Sequence, residues 1–370
     1  MTGYHLTGTL RGSERSEVWI KDGIISYSAP SGPVEEITGW IYPGLLDAHT
    51  HPGLSRTAER VSDAEVLRRL MVCRGLGVTH IREMGAQRDV APLLGPGLPK
   101  VLRAGQHLAR PMRYLRYLAI ELEPRDLPAE AERQAHRGDG WVKIVGDWID
   151  RSEGADSDLR ALWPRNVLVD AVAAVHDAGA RVAVHTFAAR TVDDLLEAGV
   201  DSIEHGSGMV RDHFIEARDQ GILVDPTLRQ VATFPDIAAR AIKYPVYKEH
   251  MLAMDARRRD HVALMLEVGG HFIMGSDTDG DVAELGGLPR ELICAVADGM
   301  PTDVVMAAAS YDGRRLVGLP TWEEGAPADF VVYDADPEED ITVTKRPTAV
   351  IIDGLLAPID QSPSSAERMR

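Results

Sequence analysis

Histidine and carboxylate side chains recur directly after short apolar segments in the middle of this 370-residue chain. His49 and His51 follow one such segment, and His185, His205 and Asp277 each end another. Residues two apart on a strand point to the same side, so His49 and His51 are expected to face one place. Imidazole nitrogens and carboxylate oxygens bind zinc and related divalent ions. The pattern predicts a divalent metal site.

Each of these residues also has a structural explanation when it is taken alone. His49 and His51 could be a solvated pair, His185 or His205 a hydrogen-bonded core histidine, and Asp277 the N-cap of the next helix. The five residues together, all at the ends of predicted strands, favour metal binding over five separate structural roles.

Lys143 is a sixth candidate because it lies inside the apolar run 141–145. A free ammonium group is costly to bury there. Either the aliphatic stem carries the ammonium out to water, or the amine has a lowered pKa and reacts with CO₂. The resulting carbamate is a carboxylate-like anion that can bridge two divalent ions.

The elements that position these residues alternate along the middle of the chain. Short β-branched runs are followed by segments of 10–15 residues with helical periodicity, which predicts parallel strands covered by helices. The α/β region from residue 44 to 318 has the length of a (β/α)₈ TIM barrel, whose active site lies at the carboxyl ends of the strands. A doubly wound open sheet is the alternative, but no Gly-x-Gly-x-x-Gly follows the first strand.

Both ends of the chain are rich in strand patterns and turns. Asp22-Gly23 between apolar runs predicts a hairpin. We therefore expect residues 1–43 and 319–370 to pair into one small β-sandwich domain beside the barrel domain of residues 44–318.

Composition excludes several classes of protein. The 40 basic and 57 acidic residues give a formal net charge of −17, which disfavours nucleic-acid binding and anionic membrane surfaces. Two cysteines cannot form a disulfide framework. Neither a signal peptide nor a spanning apolar run is visible, so we expect a cytoplasmic protein with a small-molecule substrate. The sequence leaves open whether it forms a homo-oligomer.

Ordered motifs resemble the amidohydrolase superfamily, the urease-related metal-dependent hydrolases, over nearly the whole length. They are the segments 42–51, 199–206, 275–278 and 325–333. Segments 142–144, 185–186 and 225–228 are most similar to the imidazolonepropionase- and prolidase-related branch. Imidazolonepropionase has a single metal and lacks the bridging lysine, so Lys143 favours the binuclear, prolidase-like members.

This resemblance implies two divalent ions, with zinc as the default. His49, His51 and Asp277 are implied to bind the more buried ion, His185 and His205 the more exposed one, and carbamylated Lys143 both. A hydroxide between the ions is implied to attack the carbonyl, with Asp277 as the catalytic residue that accepts its proton and delivers it to the leaving nitrogen.

The resemblance also implies cleavage of a C–N amide bond in a dipeptide or N-acyl amino acid. The alternatives are a cyclic-amide hydrolase or deaminase that uses the same ligands, and a non-catalytic metal-binding barrel. The segments 105–108 and 146–148 depart from the family pattern, and both face the substrate in the family. Candidate substrate-binding residues are Arg229, Arg113, His107 and Tyr244.

Overall fold

The computed structural model describes residues 3–278 and 287–358. Residues 1–2 and 359–370, the outermost parts of the predicted terminal domain, lie outside the described residues. The strands in chain order are β1 Gly3–Leu10, β2 Glu17–Lys21, β3 Ile24–Ser26, β4 Val34–Pro43, β5 Leu45–Thr50, β6 Val78–Glu83, β7 Lys100–Arg103, β8 His107–Ala109, β9 Ala119–Glu121, β10 Trp141–Val145, β11 Asp147–Ile149, β12 Leu159–Ala161, β13 Arg181–Thr186, β14 Ser202–His205, β15 Leu223–Asp225, β16 His271–Phe272, β17 Phe330–Tyr333, β18 Ala349–Ile352 and β19 Leu355–Leu356.

Helices fill most connections between the central strands. In chain order they are α1 Asp63–Gly75, α2 Leu127–Arg137, α3 Arg165–Asp177, α4 Ala189–Ala198, α5 Arg211–Gln220, α6 Leu228–Val231, α7 Phe234–Arg240, α8 Pro245–Ala256, α9 Arg258–Val268, α10 Leu288–Ala297, α11 Thr302–Ala309 and α12 Tyr311–Leu316. None of them is long and apolar enough to cross a membrane, within the part of the chain that the structure describes.

The two ends of the chain pair as predicted. Hydrogen bonds join them into one seven-stranded sheet in the order β19-β18-β17-β4-β1-β2-β3. Asp22 and Gly23 form the predicted hairpin turn between β2 and β3, and both adopt positive φ, 52° and 86°. β17 pairs antiparallel with β4, so the C-terminal strands return to the sheet that the N-terminal strands begin.

The central strands are parallel and follow one another in the order of a barrel. One ladder joins β5, β6 and β7, and another runs from β8 through β10, β13, β14 and β15 to β16. The chain bends at Gly105, with φ 74°, between β7 and β8, where the first ladder ends and the second begins. We count these two strands together as the third position, which gives the eight positions of a (β/α)₈ barrel. Backbone bonds from Ala48 N to Met274 O (2.9 Å) and from Asp277 N to His49 O (2.7 Å) connect the first position to the last.

Two helices, α3 and α4, flank the strand that carries His185. In α3, buried Leu168, Val172 and Val175 lie on the face that packs against the sheet. α4 ends at Gly199, whose left-handed conformation (φ 70°) lets its N–H reach the carbonyls of the last turn. Because α3 and α4 flank β13, they hold the strand that carries His185.

Candidate metal centre

Six residues predicted as metal ligands lie on neighbouring elements of the barrel. They are His49 in β5, His51 just after it, Lys143 in β10, His185 in β13, His205 at the end of β14 and Asp277 after β16. The four histidines and Lys143 are buried, whereas the Asp277 carboxylate is 17% exposed. Parallel strands bring these side chains together because their carboxyl ends lie at the same end of the barrel.

Nitrogen and oxygen atoms of these side chains converge. His49, His205 and Asp277 each offer one ligand atom, and these atoms lie within 4.8 Å of one another. Asp277 Oδ1 lies 3.4 Å from His49 Nε2 and 3.3 Å from His51 Nε2. The rings of His185 and His205 are 4.6 Å apart between centroids. The arrangement places four imidazoles and one carboxylate around one small volume.

Hydrogen bonds behind two of the histidines orient their rings. The Nδ1 atom of His51 lies 2.9 Å from the carbonyl oxygen of Gly85, and that of His205 lies 2.7 Å from Thr227 Oγ1. His49 Nδ1 lies 2.8 Å from Glu204 Oε2, a close charged contact in which the two atoms are not aligned for a hydrogen bond. An Nδ1–H that donates outward leaves the Nε2 lone pair pointing inward, which is the usual arrangement around a metal-binding histidine.

Burial keeps three of these imidazoles neutral. Loss of hydration lowers the pKa of His49, His185 and His205 well below the ordinary histidine value. A neutral imidazole has a lone pair to share, whereas a protonated one cannot bind a cation.

Three buried nitrogens of the six candidate ligands have no hydrogen-bond partner among the described residues. They are Lys143 Nζ, His185 Nε2 and His49 Nδ1. A buried polar atom without a partner is costly, and it is expected where a bound ion or group belongs. Burial also lowers the pKa of Lys143 to about 8. The donor set therefore fits divalent ions, together with a lysine that can be carbamylated.

A second layer of buried charges supports His49, and sequence reasoning did not assign it. Glu204 Oε1 accepts from Arg82 Nη2 at 2.7 Å and from Ser202 Oγ at 2.6 Å. His49, Glu204 and Asp225 also offer atoms within 4.8 Å of one another. We interpret this group as support for the His49 ring, because the facing atom is Nδ1. Arg82 directly follows the predicted strand 78–81, and that place at a strand end is the signal that the sequence offers for it.

Backbone strain concentrates at the ends of the ligand-bearing strands. His205, Thr227 and Asp277 have positive φ values of 68°, 39° and 48°. Non-glycine residues in this region cost free energy and tend to cluster at functional sites. The strained backbone positions therefore lie at the same strand ends as the candidate metal ligands.

The predicted substrate-binding residues occupy different surroundings. His107 is fully buried, with its ring 5.2 Å from that of His51 and both ring nitrogens unpartnered among the described residues. Arg113 pairs with Asp150 at 2.7 Å. Arg229 is half-buried, and its backbone N–H donates to Glu291 at 2.8 Å. Tyr244 is half-buried and packs beside the cluster that contains Phe187 and Phe234.

Comparison with known proteins identifies relatives across the whole fold. The family model described as "Amidohydrolase family" matches residues 40–356. An uncharacterized protein of Mycobacterium tuberculosis strain H37Rv is 39% identical over 341 residues, which are 91% of each chain. A protein of Mycobacterium bovis matches to the same extent.

Solved structures share the architecture. A Xaa-Pro dipeptidase crystallised with methionine in its active site superposes with a TM-score of 0.79 at 21% identity, covering 96% of this chain and 99% of that one. Ochratoxinase from A. niger superposes with a TM-score of 0.78 at 20% identity, covering 96% of both chains. At these identities the likeness establishes the fold.

Proposed function

The chain belongs to the amidohydrolase family and is a hydrolase that acts on C–N bonds, and from this premise we propose that it cleaves the amide bond of a dipeptide or N-acyl amino acid with divalent metal ions. One observation supports metal dependence. The buried atoms Lys143 Nζ and His185 Nε2 have no hydrogen-bond partner among the described residues, and they lie beside three other histidines. No structural role among the described residues accounts for this set of donors.

Each proposed ligand has a distinct place. His49, His51 and Asp277 would hold the more buried ion, and His185 and His205 would hold the more exposed one. Lys143, as its carbamate, would serve both ions and would add the negative charge that a site of mostly neutral histidines needs. When bound, divalent ions lower the pKa of water and polarise a carbonyl group. Zinc suits this combination of imidazole and carboxylate ligands.

Asp277 is the proposed proton carrier. Its carboxylate is the most exposed of the six ligand groups, and it lies within 3.4 Å of both His49 and His51. A carboxylate in that position can take a proton from the attacking water and deliver it to the leaving nitrogen. Delivery completes the reaction because an amine leaves far more readily once it is protonated.

Substrate recognition rests on the residues at the mouth. The activities for which two structural relatives are named, a Xaa-Pro dipeptidase and an ochratoxinase, suggest an amide between an acyl group and an amino acid. Arg229 is the proposed partner of the amino-acid carboxylate, since guanidinium groups bind carboxylates in a bidentate manner. We also propose that His107, Arg113 and Tyr244 contact the substrate.

The test is a metal analysis combined with an activity screen. We expect elemental analysis of the purified protein to give close to two divalent ions per chain. The metal-replete protein is expected to hydrolyse members of a dipeptide and N-acyl amino acid panel, detected by release of free amino acid. A protein that shows no hydrolysis with zinc, manganese or cobalt would contradict the proposal. Release of ammonia with one ion bound would favour a deaminase instead.

A further inference from the structure

Two aromatic side chains cover one side of the metal centre. The Tyr114 ring lies 5.2 Å from the His107 ring, 5.9 Å from the His185 ring and 4.9 Å from Trp148. The Trp148 ring itself lies 5.5 Å from that of His185. Both aromatic residues belong to segments that follow barrel strands, and the proposed mechanism gives neither a role.

The position of Trp148 is held firmly. It lies in β11, which pairs with β12. The preceding residue, Asp147, is buried and accepts hydrogen bonds from Thr186 Oγ1 at 2.5 Å and from the Ala188 backbone N–H at 3.0 Å. These bonds tie β11 to the turn that follows His185, so the indole keeps a fixed place relative to a proposed metal ligand.

The indole N–H of Trp148 is an unused donor. Its Nε1 atom is buried and has no hydrogen-bond partner among the described residues. Trp163 provides a contrast, because its Nε1 donates to the carbonyl oxygen of Val145 at 2.8 Å. A buried donor without an acceptor costs free energy until something supplies one. A ligand that brings an oxygen to this place recovers that cost.

Barrel order gives the side of the substrate that meets Trp148. β10, which leads into Trp148, holds the fourth position, and Asp277 follows the eighth. In a barrel of eight strands these two positions face each other across the mouth. In the proposed function the leaving nitrogen takes its proton from Asp277. The acyl group of the substrate therefore points away from Asp277, toward Trp148 and Tyr114.

We propose that Tyr114 and Trp148 form the acyl-side wall of the substrate pocket, and that the Trp148 N–H donates to an oxygen of the acyl group. The wall selects substrates whose acyl group is aromatic or otherwise large and apolar and carries such an oxygen. This inference rests on the proposed function, since it takes the orientation of the substrate from the role of Asp277.

Segment 110–118, which carries Tyr114, can yield to admit the substrate. Arg113 pairs with Asp150, the Met112 N–H donates to Glu121 Oε1 at 2.9 Å, and the Tyr117 carbonyl accepts from Gln87 Nε2 at 2.9 Å. Between these anchors the side chains of Met112 and Tyr117 are 83% and 58% exposed, and a segment with exposed side chains moves at lower cost than the core. Displacement of the Tyr114 ring from Trp148 uncovers the indole edge for the acyl oxygen.

A pair of substrates isolates the N–H contact. N-benzyloxycarbonyl-alanine and N-(3-phenylpropionyl)-alanine differ only in an oxygen that replaces a methylene group beside the acyl carbon. We expect Trp148→Phe, which keeps an aromatic ring and removes the donor, to lower the ratio of kcat/KM for the first over the second by about tenfold. Trp40→Phe, on the terminal sheet, is the matched control and leaves the ratio unchanged.

A second comparison isolates the apolar wall. Tyr114→Ala is expected to lower kcat/KM for both aromatic substrates by about tenfold relative to N-acetyl-alanine. Tyr117→Ala, on the exposed side of the same segment, does not. The metal content of every variant is measured so that a lost centre is not mistaken for lost selectivity. A ratio unchanged in Trp148→Phe, or an equal loss for all three substrates in Tyr114→Ala, overturns the inference.

Binding separates this inference from the proposed function. If no N-acyl amino acid is hydrolysed, the proposed function fails. The binding affinities of the same two aromatic compounds, measured by calorimetry, then test whether Tyr114 and Trp148 form the acyl-side wall. Tighter binding of the benzyloxycarbonyl compound by the parent protein, reduced about tenfold in Trp148→Phe, supports the wall. Equal binding of the two compounds, or no binding of either, overturns it.

Discussion

Burial changes what the Lys143 side chain can do. The residue is 1% exposed, and loss of hydration lowers its pKa to about 8. Near neutral pH a much larger share of this lysine is therefore the free amine than for a lysine in water. The amine can attack CO₂, forming the N–C bond and releasing one proton. The product is the anion that the proposed centre uses as its bridge.

Replacement of Lys143 by alanine tests the bridge directly. We expect Lys143→Ala to lose one or both ions and most of its activity, because the carbamate oxygens are gone. Acetate or propionate should restore part of both by occupying the vacated space. Elemental analysis and rate measurements with and without the acid provide the check. Lys248→Ala, an exposed lysine on α8, is the control; a Lys143→Ala protein with full metal content and rate would rule out the bridge.

Thr227 controls one ligand through a single contact. Its hydroxyl lies 2.7 Å from His205 Nδ1, so Thr227→Val removes the partner while it keeps the side-chain shape. Loss of such an outer contact typically weakens metal affinity by about 10–100-fold, and we expect a value in this range with little change in thermal stability. Titration of the apoprotein with zinc measures it. Thr348→Val, at the residue before β18, is the control. A zinc affinity of Thr227→Val equal to that of the parent protein would show that Thr227 does not orient His205.

At the scale of elements, the segment after β16 must pass very close to β5. A Cβ atom on Gly275 would lie 2.4 Å from His49 Cβ and 2.5 Å from His49 N. The backbone N–H of Gly275 donates to Asp225 Oδ1 at 3.0 Å. Glycine at this position therefore lets the last strand position approach the first and brings Asp277 to His49.

Gly275→Ala is expected to damage both stability and the metal centre. The methyl group meets the backbone of β5, which cannot move aside as a flexible side chain can, and overpacking of this kind costs about 1–3 kcal/mol. Thermal unfolding and metal content provide the measurements. Gly75→Ala, where no atom lies within 4 Å of the added Cβ, is the matched control with stability unchanged or slightly raised. If Gly275→Ala kept two ions and its full stability, the close approach would not matter to the centre.

At the scale of the whole molecule, buried ionisable groups make stability depend on pH in both directions. Burial lowers the pKa of His261 to about 4, so the unfolded chain binds more protons than the folded one between about pH 4 and 6.5. The contribution of neutral His261 to the free energy of unfolding is fully present above about pH 6.5, and it is lost as the pH falls toward 4. Burial raises the pKa of Glu83 and Glu291 to about 7. Between about pH 4.5 and 7 the folded chain therefore binds more protons than the unfolded one at these two carboxyls, so the stability that they contribute is lost as the pH rises.

His261→Phe isolates the histidine contribution. The ring packs beside Phe214, with centroids 5.1 Å apart, so phenylalanine keeps the packing and removes the titration. We expect the variant to lose less stability than the parent protein between pH 7 and 5, measured by denaturant unfolding at several pH values. His136→Phe, at an exposed position of α2, should follow the parent. Parallel curves for the parent and His261→Phe would contradict the assignment.

Local patterns in the sequence were sufficient for much of this architecture. Alternation of β-branched runs with helical periodicity predicted the parallel strands, and Asp22-Gly23 predicted its hairpin, because both signals depend on near neighbours in the chain. The residue types at strand ends predicted a metal site for the same reason. Lys143 stood out because a charge inside an apolar strand needs an explanation wherever that strand lies.

Only the tertiary structure decided which groups stand behind and beside those side chains. Arg82 meets Glu204, 122 positions later in the chain, and Thr227 reaches His205 from the next strand position. Trp148 and Tyr114 meet over His185 from two separate segments. Such contacts depend on the register between distant strands and on the paths of loops. Neither leaves a periodic signal in the sequence, because each is the joint result of packing over the whole barrel.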